Sequence, residues 1–200
     1  MVQKTSAVTP ERYSKGVPYA EFISAIDRNQ ARFQDNYDGT QIAAEDSAAL
    51  KELMAKPNGP AKMLVLGEAW CPDVFRGAPV FARIAEVTGM ETRFFFRDQN
   101  KDIMAEFLNN GEHESIPVAV FYTKDLDYIA HWIERPALAN KQTREDLAPM
   151  YERFRKPDPT PEERAQIKEE YVAFQNGPIW AGWRQETVRE VIALLREKLD

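Results

Sequence analysis

The spacing of apolar and polar residues divides the chain into helical and strand-like stretches. Thr9-Pro10-Glu11 reads as a helix start, with Thr as N-cap and Pro at the first helical position. Beyond it, Tyr19, Phe22, Ile23, Ile26 and Phe33 fall on one helical face. A second helix is expected over about 43–55, with Ala43, Leu50, Leu53 and Met54 inward, and Lys56-Pro57-Asn58-Gly59-Pro60 stops it. The unbroken apolar run Met63-Leu64-Val65-Leu66 reads as a buried strand. Residues 73–88 read as a helix interrupted at Pro79, with Val80, Phe81, Ile84 and Val87 on its apolar side and Gly89 at the C-cap. Strands are expected at 92–96, 117–122 and 128–132, the last two as a hairpin, with a short helix at 102–108.

The resulting order is β-α-β-α-β-β. The first two strands need a crossover, so they should be parallel with a right-handed connection, and the last pair antiparallel. After Pro136 the chain becomes charged and punctuated by proline. Thr160-Pro161-Glu162-Glu163 combines an N-cap, an N1 proline and a capping-box Glu, and the helix it opens should end near Asn176-Gly177-Pro178. A final helix presents Val188, Val191, Ile192, Leu195 and Leu199 on one face. The pattern allows this pair to cover the sheet or to form a partner surface. Packing on the same core is expected, because some 60 residues make a poor independent domain. The expected organisation is α/β, with an N-terminal helical extension (1–60), a core (61–136) and a C-terminal helical pair (137–200).

Composition narrows the function classes. The 200 residues are 44% hydrophobic and 29% charged, ordinary for a globular protein, and the net charge of −6 offers no basic surplus for nucleic acid. The start, Met1-Val2-Gln3-Lys4-Thr5-Ser6, leads into polar sequence without an apolar leader core, and no stretch approaches the roughly 18 apolar residues of a membrane span. A soluble cytoplasmic protein without a membrane partner is expected. The single cysteine excludes an intrachain disulfide, a Cys-rich zinc site and a self-contained dithiol cycle. His113 lies in a polar loop and His131 alternates with Ile129 and Ile133, without metal-ligand spacing, so no metal is expected. The run Arg153-Phe154-Arg155-Lys156 reads as a solvated face, Trp180 and Trp183 as core, and the lack of a Gly-rich loop speaks against nucleotide binding.

The chemistry concentrates in Leu66-Gly67-Glu68-Ala69-Trp70-Cys71-Pro72-Asp73-Val74. Cys71 stands between a buried strand and a helix start, where unpaired N–H groups and the helix dipole favour a thiolate. Asp73 opposes them by placing a negative charge nearby. The sequence leaves the balance open, and a small buried hydrophobe is the alternative. Glu68, three residues before Cys71, is either a proton acceptor or salt-bridge anchor near the thiol or a solvated loop charge, with Arg97 as its partner if adjacent strand ends meet. Trp70 forms a wall of the site or packs in the core.

These residues resemble the Trp-Cys-x-x-Cys site of thioredoxins, which follows a strand and opens a helix. Thioredoxin's active-site helix is kinked by a proline eight residues after its first cysteine, and Pro79 stands eight after Cys71 within Ala78-Pro79-Val80-Phe81-Ala82-Arg83-Ile84-Ala85. Ser115-Ile116-Pro117-Val118 is similar to the cis-proline loop that faces the redox cysteine, and X-Pro is where a cis bond is accessible. A narrower resemblance is to a bacterial thioredoxin-like family with a Glu-x-Trp-Cys-x-Asp site, matched by Glu68, Trp70, Cys71 and Asp73, and also by Arg97-Asp98, Phe107 to Gly111 and Trp132-x-x-Arg135-Pro136. The resemblance implies a thioredoxin-like fold over about 62–135. In it, Pro117 holds the backbone of Ile116 toward Cys71, and an exposed edge there could take an extended peptide.

Two departures matter. Val74 stands where thioredoxins carry the resolving cysteine, and Val65 where they keep a buried acid. Internal release of a mixed disulfide is therefore impossible. The expected function is that of a monothiol redox protein in which Cys71 attacks a disulfide, glutathionylated or peroxidic substrate and an external thiol, such as glutathione or a protein thiol, completes the cycle without a resident cofactor. The alternative is a redox-inactive binding module or sensor that engages a protein partner, and a stand-alone structural protein is a third option.

Overall fold

The computed structural model describes residues 6–200; the polar start at residues 1–5 lies outside them. Four helices precede the first strand: α1 (Pro10–Ser14), α2 (Tyr19–Ala25), α3 (Gln30–Asp38) and α4 (Ala44–Ala55). The sheet is then laid down as β1 (Lys62–Gly67), α5 (Pro72–Thr88), β2 (Glu91–Phe96), the short α6 (Lys101–Met104), β3 (Val118–Tyr122) and β4 (Tyr128–Ile133). Four helices follow: α7 (Ala137–Glu145), α8 (Ala148–Phe154), α9 (Pro161–Gln175) and α10 (Pro178–Leu199). Among the described residues no helix is long and apolar enough to cross a membrane.

The sheet order is β2-β1-β3-β4, with β1 parallel to β2 and antiparallel to β3, and β3 antiparallel to β4. This is the expected β-α-β-α-β-β arrangement, and it puts β1 in an interior lane. Met63 to Leu66 are buried, as suits a strand covered on both faces. The C-terminal end of β1 delivers the chain to Cys71 and the start of α5. Helix α5 runs through Pro79 without ending and stops at Gly89, whose φ of 77° suits a residue without Cβ.

Three expectations need correction. The helix start at Thr9 and the face assigned to Tyr19 through Phe33 belong to three helices, not one: α1 holds the start, α2 carries Tyr19, Phe22 and Ile23, and α3 carries Phe33. Val17 leaves the helical path to pair with the edge of β2, its N–H donating to Phe94 O at 3.0 Å and its carbonyl accepting from Phe94 N at 2.8 Å. A second break comes at Ile26, which is extended, and Asn29, which is left-handed. Ala43 is the exposed N-cap residue of α4 rather than an inward position. Finally, α6 ends at Met104, where tighter turn bonds from Glu106 N to Ile103 O and from Phe107 N to Met104 O replace the helix expected to Leu108.

The expected C-terminal pair corresponds to α9 and α10, and α9 carries the full Thr160–Glu163 capping box. Two short helices, α7 and α8, precede it. Helix α10 packs on α4, α5 and β4, burying Trp180, Trp183, Val188, Val191, Ile192 and Leu195. Arg184 ties it to α3 by donating to Asn36 Oδ1 at 2.8 Å and to Gly39 O at 3.2 Å. Trp132 Nε1 donates to Glu190 Oε2 at 2.9 Å, joining β4 to the same helix.

Candidate functional site

The Cys71 corner is shaped by close packing on both sides. Gly67 ends β1 against Val74, and a Cβ at Gly67 would lie 2.6 Å from Val74 Cγ1. Val74 is fully buried there, so the position of the absent resolving thiol is filled with aliphatic packing. One turn on, a Cβ at Gly77 would lie 2.9 Å from Pro117 Cγ, which seats the Pro117 loop on α5. The Ile116–Pro117 bond is cis, as the sequence led us to expect. Pro117 O accepts from Glu134 N at 2.7 Å, fixing the loop to the end of β4.

Cys71 is the N-cap residue of α5, with Pro72 at the first helical position. Its carbonyl accepts from Val74 N at 3.0 Å and Phe75 N at 3.2 Å, while its half-buried Sγ faces Ile116 O at 3.7 Å. A thiol can donate to that carbonyl, whereas a thiolate there would face a lone pair. Burial and then the charge of Asp73 push the Cys71 thiol up to about 11, outweighing backbone N–H groups of Val74 and Asp73 and the more distant charge of Arg76. The balance left open between helix terminus and carboxylate therefore falls against the thiolate.

Asp73 and its partners form the inner flank. Asp73 Oδ1 lies 2.8 Å from Arg76 Nη1, and Oδ2 lies 3.7 Å from Arg135 Nη1. Arg76 is wholly buried, one turn along α5, and its Nη2 donates to Glu134 O at 3.2 Å. Its guanidinium also sits against two rings of α10, 5.7 Å from the centre of Trp180 and 5.5 Å from that of Trp183. Arg135 is further paired with Glu134.

The outer flank holds Glu68, Trp70 and Arg97. Trp70 is 49% exposed and lies under the Arg97 guanidinium, 5.4 Å from ring centre to Cζ, so it is an open wall rather than core. Arg97 pairs with Asp98 and Glu114, each at 2.8 Å. The expected Glu68–Arg97 pair is not formed. Instead Glu68 Oε1 accepts from Asp98 N at 2.8 Å, and burial raises the Glu68 carboxyl above its ordinary range. Adjacent strand ends do meet, but Arg97 opens a turn after β2 and swings to the Glu114 loop. Cys71 N–H donates to the backbone carbonyl of Glu68 at 3.2 Å, and among the described residues no hydrogen bond joins the Glu68 carboxyl to the Cys71 sulfur.

The structure thus brings Trp70, Cys71, Pro72, Asp73, Ile116 and Pro117 together, with Val74 beneath them and Glu68 and Arg97 at one side. Sequence reasoning missed Arg76, although its i,i+3 spacing from Asp73 on a helix was visible. It also missed Asn29, whose Nδ2 donates to Ala69 O at 2.8 Å and ties the N-terminal helices to the site loop. That contact spans 40 residues, and no local signal marks it. His113 and His131 stay outside the corner: His113 pairs its backbone with Asn109, and His131 Nδ1 lies 2.6 Å from the Tyr128 hydroxyl.

Comparison with known proteins agrees with this geometry. A family model described as Thioredoxin matches residues 16–171. A crystal structure of a protein of unknown function from Pseudomonas aeruginosa superposes with a TM-score of 0.64 at 14% identity, over 95% of this chain and 98% of that one. The crystal structure of an HIV epitope scaffold gives 0.62 at 15% identity, over 96% and 99%. No curated protein matches the chain.

Proposed function

The chain belongs to the thioredoxin family, and from that premise we propose that it is a cytoplasmic monothiol member, of the bacterial Glu-x-Trp-Cys-x-Asp type, that engages a thiol- or disulfide-bearing partner at the Cys71 corner. The supporting observation is the seat of the sulfur: half-exposed at the start of α5, beside an open Trp70 and 3.7 Å from Ile116 O. A partner segment laid along Ile116 would bring its own sulfur to Cys71.

The reading has two forms. In the first, Cys71 turns over. Its thiolate attacks a partner disulfide, forming a mixed disulfide and expelling one partner sulfur as thiolate. An external thiol, glutathione or a protein thiol, then attacks the partner sulfur, restoring the Cys71 thiol and leaving with a new disulfide. In the second, the corner binds and Cys71 captures a partner only slowly. The raised thiol favours the second form, because a group with a pKa near 11 is ionised at pH 7 in about one molecule in 10⁴. The buried Val74 and Val65 favour it as well, since neither can resolve a disulfide or move a proton.

The deciding experiment is alkylation of the full chain by iodoacetamide across pH 6–11, together with mass-spectrometric detection of the adduct formed with oxidised glutathione. Slow alkylation that accelerates only above pH 9, with adduct formation over hours, supports the binding form. A midpoint at or below about 8.5, the ordinary cysteine value, with adduct formation in seconds establishes the turnover form. Cys71→Ser abolishes both signals under either form, and its loss of signal ties them to this sulfur.

A further inference from the structure

The α8–α9 hairpin lines an open cavity of about 410 Å³ to which Cys71 does not contribute. Its floor is aromatic and aliphatic: Tyr151 and Phe154 from α8 and Ile167 and Tyr171 from α9, all half-buried. The rings interlock edge-to-face, Tyr151 on Phe154 with centres 6.2 Å apart and Phe154 on Tyr171 at 4.9 Å. Its rim carries three cations, Arg155, Arg164 and Lys168. On α9, residues 164, 167, 168 and 171 recur at the spacing of one helical face.

The charges on this hairpin divide in two. Arg153 and Lys156 do not line the cavity and are matched by Glu170 and Glu163, each at 2.8 Å. Among the described residues, the three rim cations have no carboxylate within 4 Å. Three unmatched positive charges therefore converge over one aromatic floor in a chain whose net charge is −6. The Arg155 guanidinium already rests 5.8 Å from the centre of the Tyr151 ring, so a flat ligand would complete a stack.

We propose that this cavity binds a small aromatic phosphate, a nucleoside monophosphate being the representative: the ring system packs against the cluster of Tyr151, Phe154 and Tyr171, and the phosphate dianion is held by Arg155, Arg164 and Lys168. The volume is that of a compact ligand site. A single carboxylate would leave two of the three cations unmatched. The phosphate would be held by side-chain cations rather than by backbone N–H groups, so no Gly-rich loop is required.

The test uses the full chain and intrinsic fluorescence titration with AMP, adenosine, inorganic phosphate and an acidic heptapeptide. Saturable AMP binding is expected, with adenosine and inorganic phosphate each at least about tenfold weaker. An Arg164→Ala, Lys168→Ala double variant, both positions exposed on α9, should weaken AMP at least tenfold, since one charge-assisted bond is worth that much or more. Its circular dichroism and Cys71 alkylation rate should match those of the unaltered chain. No saturation by AMP up to millimolar concentration overturns the proposal, as does equal binding by the double variant. Binding of the acidic peptide in place of AMP overturns it in favour of a polypeptide site. None of these outcomes depends on how Cys71 behaves.

Discussion

The two flanks of Cys71 each combine a carboxylate with arginine, and they are built in opposite ways. On the inner flank Asp73 is held by two guanidinium groups, and one of them, Arg76, is wholly buried between Asp73 and the rings of Trp180 and Trp183. On the outer flank Glu68 and Arg97 ignore one another. Glu68 takes a backbone N–H, and Arg97 turns to the half-exposed Asp98 and Glu114 and to the face of Trp70. The difference separates an anchor from an adjustable edge. Asp73 is held in place by the buried Arg76, which would lose its carboxylate partner without it. Glu68 has no ion pair among the described residues, and burial raises its carboxyl above the ordinary range.

The largest expected contrast between the flanks is in stability. Arg76→Ala should cost about 3–5 kcal/mol, because it leaves Asp73 short of its main partner and opens a void between two tryptophans. Arg97→Ala should cost about 1–2 kcal/mol, because Asp98 and Glu114 can turn to water. Urea unfolding of both variants measures the gap, and similar costs would erase the distinction.

A smaller effect concerns the thiol. Asp73→Asn removes the negative charge next to Cys71 and leaves Arg76 and Arg135 free to favour the thiolate. The thiol pKa then falls, and alkylation at pH 8 should quicken roughly tenfold. An unchanged rate would assign the raised thiol to burial alone.

The smallest effect lies on the outer flank. The Glu68 pKa is raised in the folded chain, so its contribution to stability is present at low pH and is lost as pH rises through the folded value. Glu68→Gln keeps the acceptor for Asp98 N–H and cannot ionise. The variant should therefore gain on the unaltered chain between pH 4 and pH 7, read as the difference in urea midpoints. The opposite slope would mean that Glu68 is held as a paired carboxylate.

How much of this was legible in the sequence follows from the range of each interaction. The buried run Met63–Leu66, the helix expected over 73–88 and the strand expected over 128–132 are written in local periodicity and caps, and they stand within one residue of where the pattern put them, at Lys62–Gly67, Pro72–Thr88 and Tyr128–Ile133. The Thr160–Glu163 capping box is complete within four residues and appears as read. The three-helix N-terminus was missed because its break depends on Val17 meeting Phe94, 77 positions away in the chain. The pair α7 and α8 was missed because short, charged, proline-interrupted helices carry little periodicity. In the site, Cys71 and Asp73 were legible from their place between a strand and a helix, and Trp70 and Pro117 through the resemblance to thioredoxins, whereas the partners of Asp73 and Glu68 were not.

From the residues alone it follows that the chain has one thiol and that this thiol opens a helix after a buried strand, and the resemblance to thioredoxins adds that Val74 stands at the resolving position. These are properties of residue identity and near-neighbour geometry, and no packing can change them. The surroundings of that thiol come from the folded chain. Whether a helix terminus or a carboxylate controls a thiol depends on distances, burial and the partners of the carboxylate. Those come from the Pro117 loop, the end of β4 and helix α10, which are distant in the chain and adjacent in space. The Pro117 loop sets Ile116 O 3.7 Å from the sulfur, Arg76 and Arg135 hold Asp73 near it, and burial with that carboxylate pushes the thiol up.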